Sequence, residues 1–385
     1  MKKFLVFFSV LASVAFVACQ KNSSVSGIEE PELDGPTGVI SVSIETPGQT
    51  KAASIADSKI NSAQLFVFGT DGKLETSRYY STVEGADFKI TSKVGTKTLY
   101  VVLNAERLNF STISHLEEPT AASLADVVAL GRNTSDNLVM SGKNSVNVVE
   151  YNANKGLNTT SQVTVYVKRL TAEVVVNKVT VNFDNTALQG ATLILDDIGL
   201  VNVPGYSPYG VTSASTDVDN PASGIPVILP DGLFNNMSYW FNVGSLNKTT
   251  SPAVCFDASV NINCNVSGTE TGINRYFLSY PNRATAFQEN ASPTAPVHTC
   301  LVIKGRLTAN SSYAGAEIVA KYNNTDTYYT FDLPALEPNK QYTITDIKIT
   351  MPGADNPGER VVTGKIDPTI VVDHWTGNTN LSYDF

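Results

Sequence analysis

Short runs of alternating apolar and polar residues, separated by Asn, Gly, Ser and Pro, make up most of the chain from Gly38 onward. In Gly38–Glu45 (GVISVSIE), Ile40, Val42 and Ile44 alternate with Val39, Ser41, Ser43 and Glu45. That period of two predicts a strand with one apolar face. Leu65–Phe68 leads into Asp71-Gly72, a turn signal between two strands. Thr98–Leu103 (TLYVVL) is a nearly continuous apolar run that ends at Asn104 and predicts a strand buried on both faces. Val163, Val165 and Val167 alternate with polar residues, and Val174–Val176, Val179 and Val181 follow closely. Near the end, Tyr342, Ile344, Ile347, Ile349 and Met351 form another amphipathic run, broken at Pro352-Gly353 and Asn356-Pro357-Gly358. One segment reads as a helix, Ala121–Leu130, with Leu124, Val127 and Val128 as its stripe and Gly131 as its stop. The pattern predicts a mainly all-β protein of β-sandwich type rather than α/β, with a short helix in its first domain.

Charge clusters at Lys168-Arg169 while the strand signal continues, which places a domain boundary there: residues 37–169, then 170–385. Residues 203–252 are rich in Pro, Gly, Ser and Asn and read as long loops of the second domain. No short-period repeat is visible. A length of 385 residues suits two or three domains, and 42% hydrophobic residues suit a folded chain. The net charge of −9 argues against nucleic acid or anionic lipid as the main partner.

The N-terminus carries a distinct signal. Met1-Lys2-Lys3 is a basic lead, Phe4–Val17 an apolar stretch, and Phe16-Val17-Ala18 a small-residue cleavage site before Cys19. A cysteine at that place is the arrangement of bacterial lipoprotein leaders, with residues 1–18 removed and the Cys19 thiol acylated. Phe16 stands where leucine is usual. Residues 19–36, polar, acidic and containing Pro31 and Pro36, read as a tether. Three cysteines remain, Cys255, Cys264 and Cys300. Cys255 and Cys264 would pair if they lay on adjacent strands, and plain buried thiols are the alternative.

Catalytic chemistry is not written in the sequence. His115, His298 and His374 are too scattered for a metal site, and His298 with Cys300 on one strand face reads as packing. No nucleophile elbow, phosphate loop or dinucleotide fingerprint occurs. Thr216–Asn220 has calcium-like acid spacing but runs into Pro221-Ala222 instead of a glycine turn. Neither an enzyme nor a cofactor is expected.

Two other segments stand out. Gly48–Ser54 (GQTKAAS) holds Lys51, the first basic residue after Lys21, among small residues behind the first strand. Ile370–Phe385 (IVVDHWTGNTNLSYDF) predicts a terminal strand, with Ile370, Val372 and His374 on one face and Val371, Asp373 and Trp375 on the other. Leu381, Tyr383 and Phe385 alternate again after Gly377-Asn378, as expected of a segment that completes a neighbour's sheet edge.

Taken in order, the leader ending at Cys19, GVISVSIE, TKAAS with KINSAQLFVFGTDG, VGTKTLYVVLNAE, SLADVVAL before LVMSG, VKRLTAEVVVNKVTV, FQENASPTAPVHTCLVIKGRL, NKQYTITDIKITMPGADNPGE and a Trp-bearing last strand resemble the fimbrillin family, the subunits of type V pili, over nearly the whole chain. The resemblance is closest to its shaft subunits. It implies two transthyretin-like β-sandwich domains, export as an outer-membrane lipoprotein, and cleavage by a trypsin-like protease after the first strand, here between Lys51 and Ala52. It further implies displacement of that strand (Val39, Ile40, Val42, Ile44) and its replacement by a neighbour's C-terminal segment (Ile370, Val372, Trp375, Leu381, Tyr383, Phe385). The partners implied are copies of itself, related pilus subunits and the protease. The family pattern has Arg where Lys51 stands, and an Arg-specific enzyme lacks its bidentate partner there. The alternatives are an accessory or tip subunit and a surface lipoprotein that binds glycan or host protein without polymerising.

Overall fold

The computed structural model describes residues 33–46, 60–118, 122–123, 138–201, 203–204, 206–210, 227–228, 255–264, 269–282, 299–355 and 366–374. Strands dominate, and they assemble into two β-sandwiches. The first is built from β1 (Thr37–Glu45), β2 (Ala63–Phe68), β3 (Leu74–Tyr80), β4 (Lys89–Lys93) and β5 (Gly95–Leu103). A one-turn helix α1 (Ile113–Leu116), the two-residue β6 (Ala122–Ser123), β7 (Met140–Val148), β8 (Ser161–Tyr166) and β9 (Lys168–Arg169) follow. One sheet runs β4-β1-β8 and the other β3-β2-β5-β7-β9. The β2–β3 hairpin turns at Gly72, whose φ of 75° suits glycine, while the Asp71 carboxylate accepts the Lys73 N–H at 3.1 Å.

The second sandwich opens with β10 (Ala172–Val181) and β11 (Ala191–Val201), and the chain continues through the short β12 (Val203–Pro204), β13 (Tyr206–Ser207) and β14 (Val227–Ile228), which form two-stranded pairs outside its two sheets. The sandwich is completed by β15 (Cys255–Cys264), β16 (Thr269–Ser279), β17 (Cys300–Thr308), α2 (Ala316–Lys321), β18 (Asn323–Asp332), β19 (Lys340–Ile349) and β20 (Ile366–His374). Its sheets run β16-β10-β19-β20 and β15-β11-β17-β18.

Strand order reveals a repeat that the sequence hides. β10, β11, β15, β16, β17, β18 and β19 take the places of β1, β2, β3, β4, β5, β7 and β8, with identical neighbours. In each half the first and last of these strands pair in parallel, β1 with β8 and β10 with β19. The other pairings in the set are antiparallel. A short helix lies between the fifth and sixth strands of both halves. β20 is the addition: it extends the second half's sheet on the outer side of β19.

The run Thr98–Leu103 is buried on both faces, as its composition predicts. Leu65, Val67, Leu99 and Val101 belong to the core of the first sandwich. Phe66, Phe68, Tyr100 and Val102 join a larger core that runs on through Leu170 into the second. At the junction, buried Arg169 donates to the Asn339 side chain at 3.1 Å, and Asn339 N–H bonds the Thr171 carbonyl at 3.0 Å.

Several expectations need correction. Ala122 and Ser123, inside the segment predicted as a helix, form a strand paired with Tyr206-Ser207, and residues 124–130 lie outside the described ones. Among the described residues of the first half, the α-helix is α1, which the sequence reading did not expect. Residues 206–210, read as loop of the second domain, pack on the first sandwich: Tyr209 N–H bonds Leu116 O at 3.1 Å and its ring meets Phe110 at 5.8 Å. Cys255 and Cys264 sit at opposite ends of one strand, β15, roughly 30 Å apart, so they do not pair. Cys300 is a buried thiol at the start of β17, outside any disulfide and 3.6 Å from Asp332 Oδ1, and His298 lies outside the described residues.

Candidate functional site

The first strand is not an edge strand. β1 lies between β4, antiparallel, and β8, parallel, with Ile40 opposite Ile90 on one side and Ser161 on the other. Its alternation settles its orientation. Ile40 (0% exposed) and Val42 (6%) enter the core with Leu65, Val67, Leu99 and Val165, Ile44 packs at its margin, and Val39 is half-buried on the other face. Each such Ile or Val side chain contributes about 1.5–3 kcal/mol on burial. Backbone bonds fasten the strand along its length. Pro36 O accepts from Val94 N (3.0 Å), Thr37 O from Tyr151 N (2.9 Å) and Glu45 O from Val167 N (2.9 Å), while Val42 N donates to Phe88 O (2.8 Å).

The two banks of this slot are tied to the facing sheet by groups outside β1. On the β4 side, Tyr80 Oη donates to Lys89 O at 2.7 Å and accepts Lys89 N at 3.0 Å, and Arg78 donates to the same carbonyl at 3.0 Å. Glu75 accepts from Ser92 Oγ at 2.9 Å and pairs with Lys97 at 2.7 Å. A hydrogen-bonded pair with Asp87 holds the exposed Lys89 ammonium above its ordinary pKa. On the β8 side, Asn144 Nδ2 donates to Thr164 O at 2.8 Å, and Ser161 Oγ accepts Val149 N at 3.0 Å. Each neutral bond contributes about 1 kcal/mol. The slot therefore has banks held independently of the strand that fills it. These seam residues carry no sequence signal, because a tyrosine or asparagine in an alternating strand reads the same whether or not it reaches across.

The remaining predicted site residues divide. Ile370 and Val372 lie on β20, opposite Ile344 and Tyr342 of β19. β20 is the outermost strand of its sheet among the described residues, and it includes Pro368, opposite Ile347. Proline has no N–H for a ladder and is confined to such edge positions. Across the pair, the buried Tyr342 hydroxyl accepts Glu337 N and donates to Ala335 O, both at 2.8 Å. Burial pushes its pKa up to about 12. Cys19, Lys51, Ala52, Trp375, Leu381, Tyr383 and Phe385 lie outside the described residues, as do residues 216–220. Among the described residues, no group of three or more His, Cys, Asp or Glu is placed to hold a metal ion, and no helix is long and apolar enough to cross a membrane.

Residues 39–227 match the family of the major fimbrial subunit protein (FimA). No curated protein matches the sequence. Among solved structures, a candidate cell adhesion protein of Bacteroides eggerthii is 19% identical with a TM-score of 0.57, the match covering 89% of this chain and 97% of that one. A candidate cell adhesion protein of Parabacteroides distasonis is 14% identical with a TM-score of 0.55, over 88% and 99% of the two chains. A fimbrilin (FimA) of Porphyromonas gingivalis is 17% identical with a TM-score of 0.54, over 90% and 99%. At these identities the likeness is one of fold.

Proposed function

We propose that this chain, whose residues 39–227 match the major fimbrial subunit family, is a fimbrillin-family protein and the precursor of an adhesive pilus subunit that polymerises by strand replacement. The observation that carries the reading is the place of β1. It fills the middle of a sheet, buries Ile40 and Val42, and is followed at Lys51 by a basic residue among small ones. Cutting between Lys51 and Ala52 turns β1 into a separable peptide. Its departure leaves unpaired backbone on β4 and β8 and an apolar floor, a surface that must be covered again. Strand addition from another copy covers it, with main-chain bonds supplying affinity and side-chain pockets supplying register.

Export precedes this step. The leader before Cys19 delivers a lipoprotein to the outer membrane, and cleavage after Lys51 frees the subunit from that anchor into a cell-surface fimbrium. Lysine at the cut site calls for a protease that accepts it. The family assignment and the missing catalytic motifs favour a structural protein over an enzyme.

Limited tryptic digestion of the leaderless protein tests the reading. The first cut is expected after Lys51, and the product is expected to form ladders stable on unheated gels. A product cut at Lys51 that stays monomeric contradicts it.

A further inference from the structure

The connection between β11 and β15 does not stay with its own half. In the first half the equivalent strands β2 and β3 are joined by residues 69–73, whereas residues 202–254 join β11 to β15. Residues 206–210 of this connection cross to the back of the first half's five-stranded sheet. That sheet forms the floor of the β1 slot with Leu65, Val67, Leu99 and Val101, so Phe66, Phe68 and Tyr100 point the opposite way.

Tyr206-Ser207 pairs with Ala122-Ser123. Tyr209 donates its N–H to Leu116 O at 3.1 Å, and its carbonyl accepts the hydroxyl of Ser141 on β7. Tyr209 is 7% exposed; its ring meets Phe110 at 5.8 Å, and Phe110 in turn meets Phe66 at 6.0 Å. Gly210 passes so close to the first half that a Cβ there would lie 2.5 Å from Glu117 Cγ. Glu117 is not free to swing away, because it accepts from the Tyr100 hydroxyl and pairs with Lys143 at 2.7 Å. Ser207 and Tyr209 are thereby buried against a half they do not belong to.

We infer that residues 206–210 are a strap by which the second half braces the back of the first half's sheet, behind the floor of the β1 slot. The strap is distinct from the junction. It fastens to α1 and β7 through Leu116 and Ser141, whereas Arg169 and Asn339 join the halves at the end of β9. Its loss would uncover apolar surface over Phe110 and Phe66 and take this acceptor from the buried Ser141 hydroxyl. The first half is thus completed by residues beyond its own last strand, β9. The strap acts in the uncut chain, whether or not β1 is ever replaced.

Hydrogen exchange read by mass spectrometry, on the uncut leaderless chain and its Tyr209→Ala variant, tests the strap. The substitution lies in the second half. Exchange is nevertheless expected to speed up about tenfold or more in β5 and β7 of the first half, and to stay unchanged in β17 and β19. An effect confined to the second half, shared equally by both halves or missing from both overturns the strap. If Tyr209→Ala does not fold, Ala122→Cys with Ser207→Cys in an otherwise unchanged chain makes the comparison, since these positions face each other across β6 and β13. Its oxidised form is expected to exchange several-fold more slowly in β5 and β7 than its reduced form. Failure of the two cysteines to join, or a cross-link that slows nothing in the first half, overturns the strap as well.

Discussion

Thr46 is the last described residue of the β1 segment, and its hydroxyl is buried with no hydrogen-bond partner. Valine has nearly the same shape and no hydroxyl to desolvate, so Thr46→Val is expected to raise the stability of the uncut chain by about 0.5–1 kcal/mol. A urea midpoint checks it, and a fall of similar size would mean that the hydroxyl is bonded. Residues of this kind mark the limit of sequence reading. The alternation that sends Ile40 and Val42 inward was legible, because a period of two has one meaning on a sheet. That Gly38 meets the Val149 carbonyl was not, since that carbonyl is more than a hundred residues away in the sequence and belongs to a loop.

Among the elements, β20 takes an outer position in the second half's sheet among the described residues. It contains Pro368, and its register against β19 shifts between Ile344 and Asp346. Tyr342, opposite Val372, gives a handle on this pair. Its phenol is held above the ordinary value near 10, at about 12, chiefly by burial. The neutral form is therefore favoured in the folded state. The stabilisation is complete below pH ~10 and is lost as pH rises through about 12, on the order of 2 kcal/mol in total. Tyr342→Phe lacks this titration. It is expected to be about 1 kcal/mol less stable than wild type at neutral pH, with the gap closing or reversing by pH 12 in paired denaturation curves. A gap independent of pH would contradict the assignment. At the start of the helix expected over Ala121–Leu130, Ala122-Ser123 pairs with Tyr206-Ser207, and a pairing across more than eighty residues overrides local periodicity at those two positions.

Over the whole molecule, the tandem repeat of seven strands was illegible because equivalent strands share an order of pairing and not a sequence. The all-β class was legible, since alternating runs recur throughout. The repeat also shows what distinguishes the halves. The outer side of β8 is tied to β7 through Asn144, whereas the outer side of β19 is covered by β20. A continuous core and the buried Arg169 join the two halves, so a pull on one is transmitted to the other. Such a body suits a fibre in which each subunit fills its neighbour's slot.

An intermolecular disulfide trap tests that claim most directly. Ile40 lies opposite Ser161 in the uncut chain, with neighbouring strands about 4.8 Å apart, a separation a disulfide can bridge. In variants that pair Ser161→Cys with a cysteine at Leu381 or Tyr383, cut after Lys51, mixed from isotopically labelled and unlabelled protein and oxidised after assembly, mass spectrometry is predicted to find position 161 linked to one of these between labelled and unlabelled chains. Assembled material in which these positions stay unlinked, or are linked only within single chains, would contradict the replacement of β1 by a neighbour's C-terminal segment.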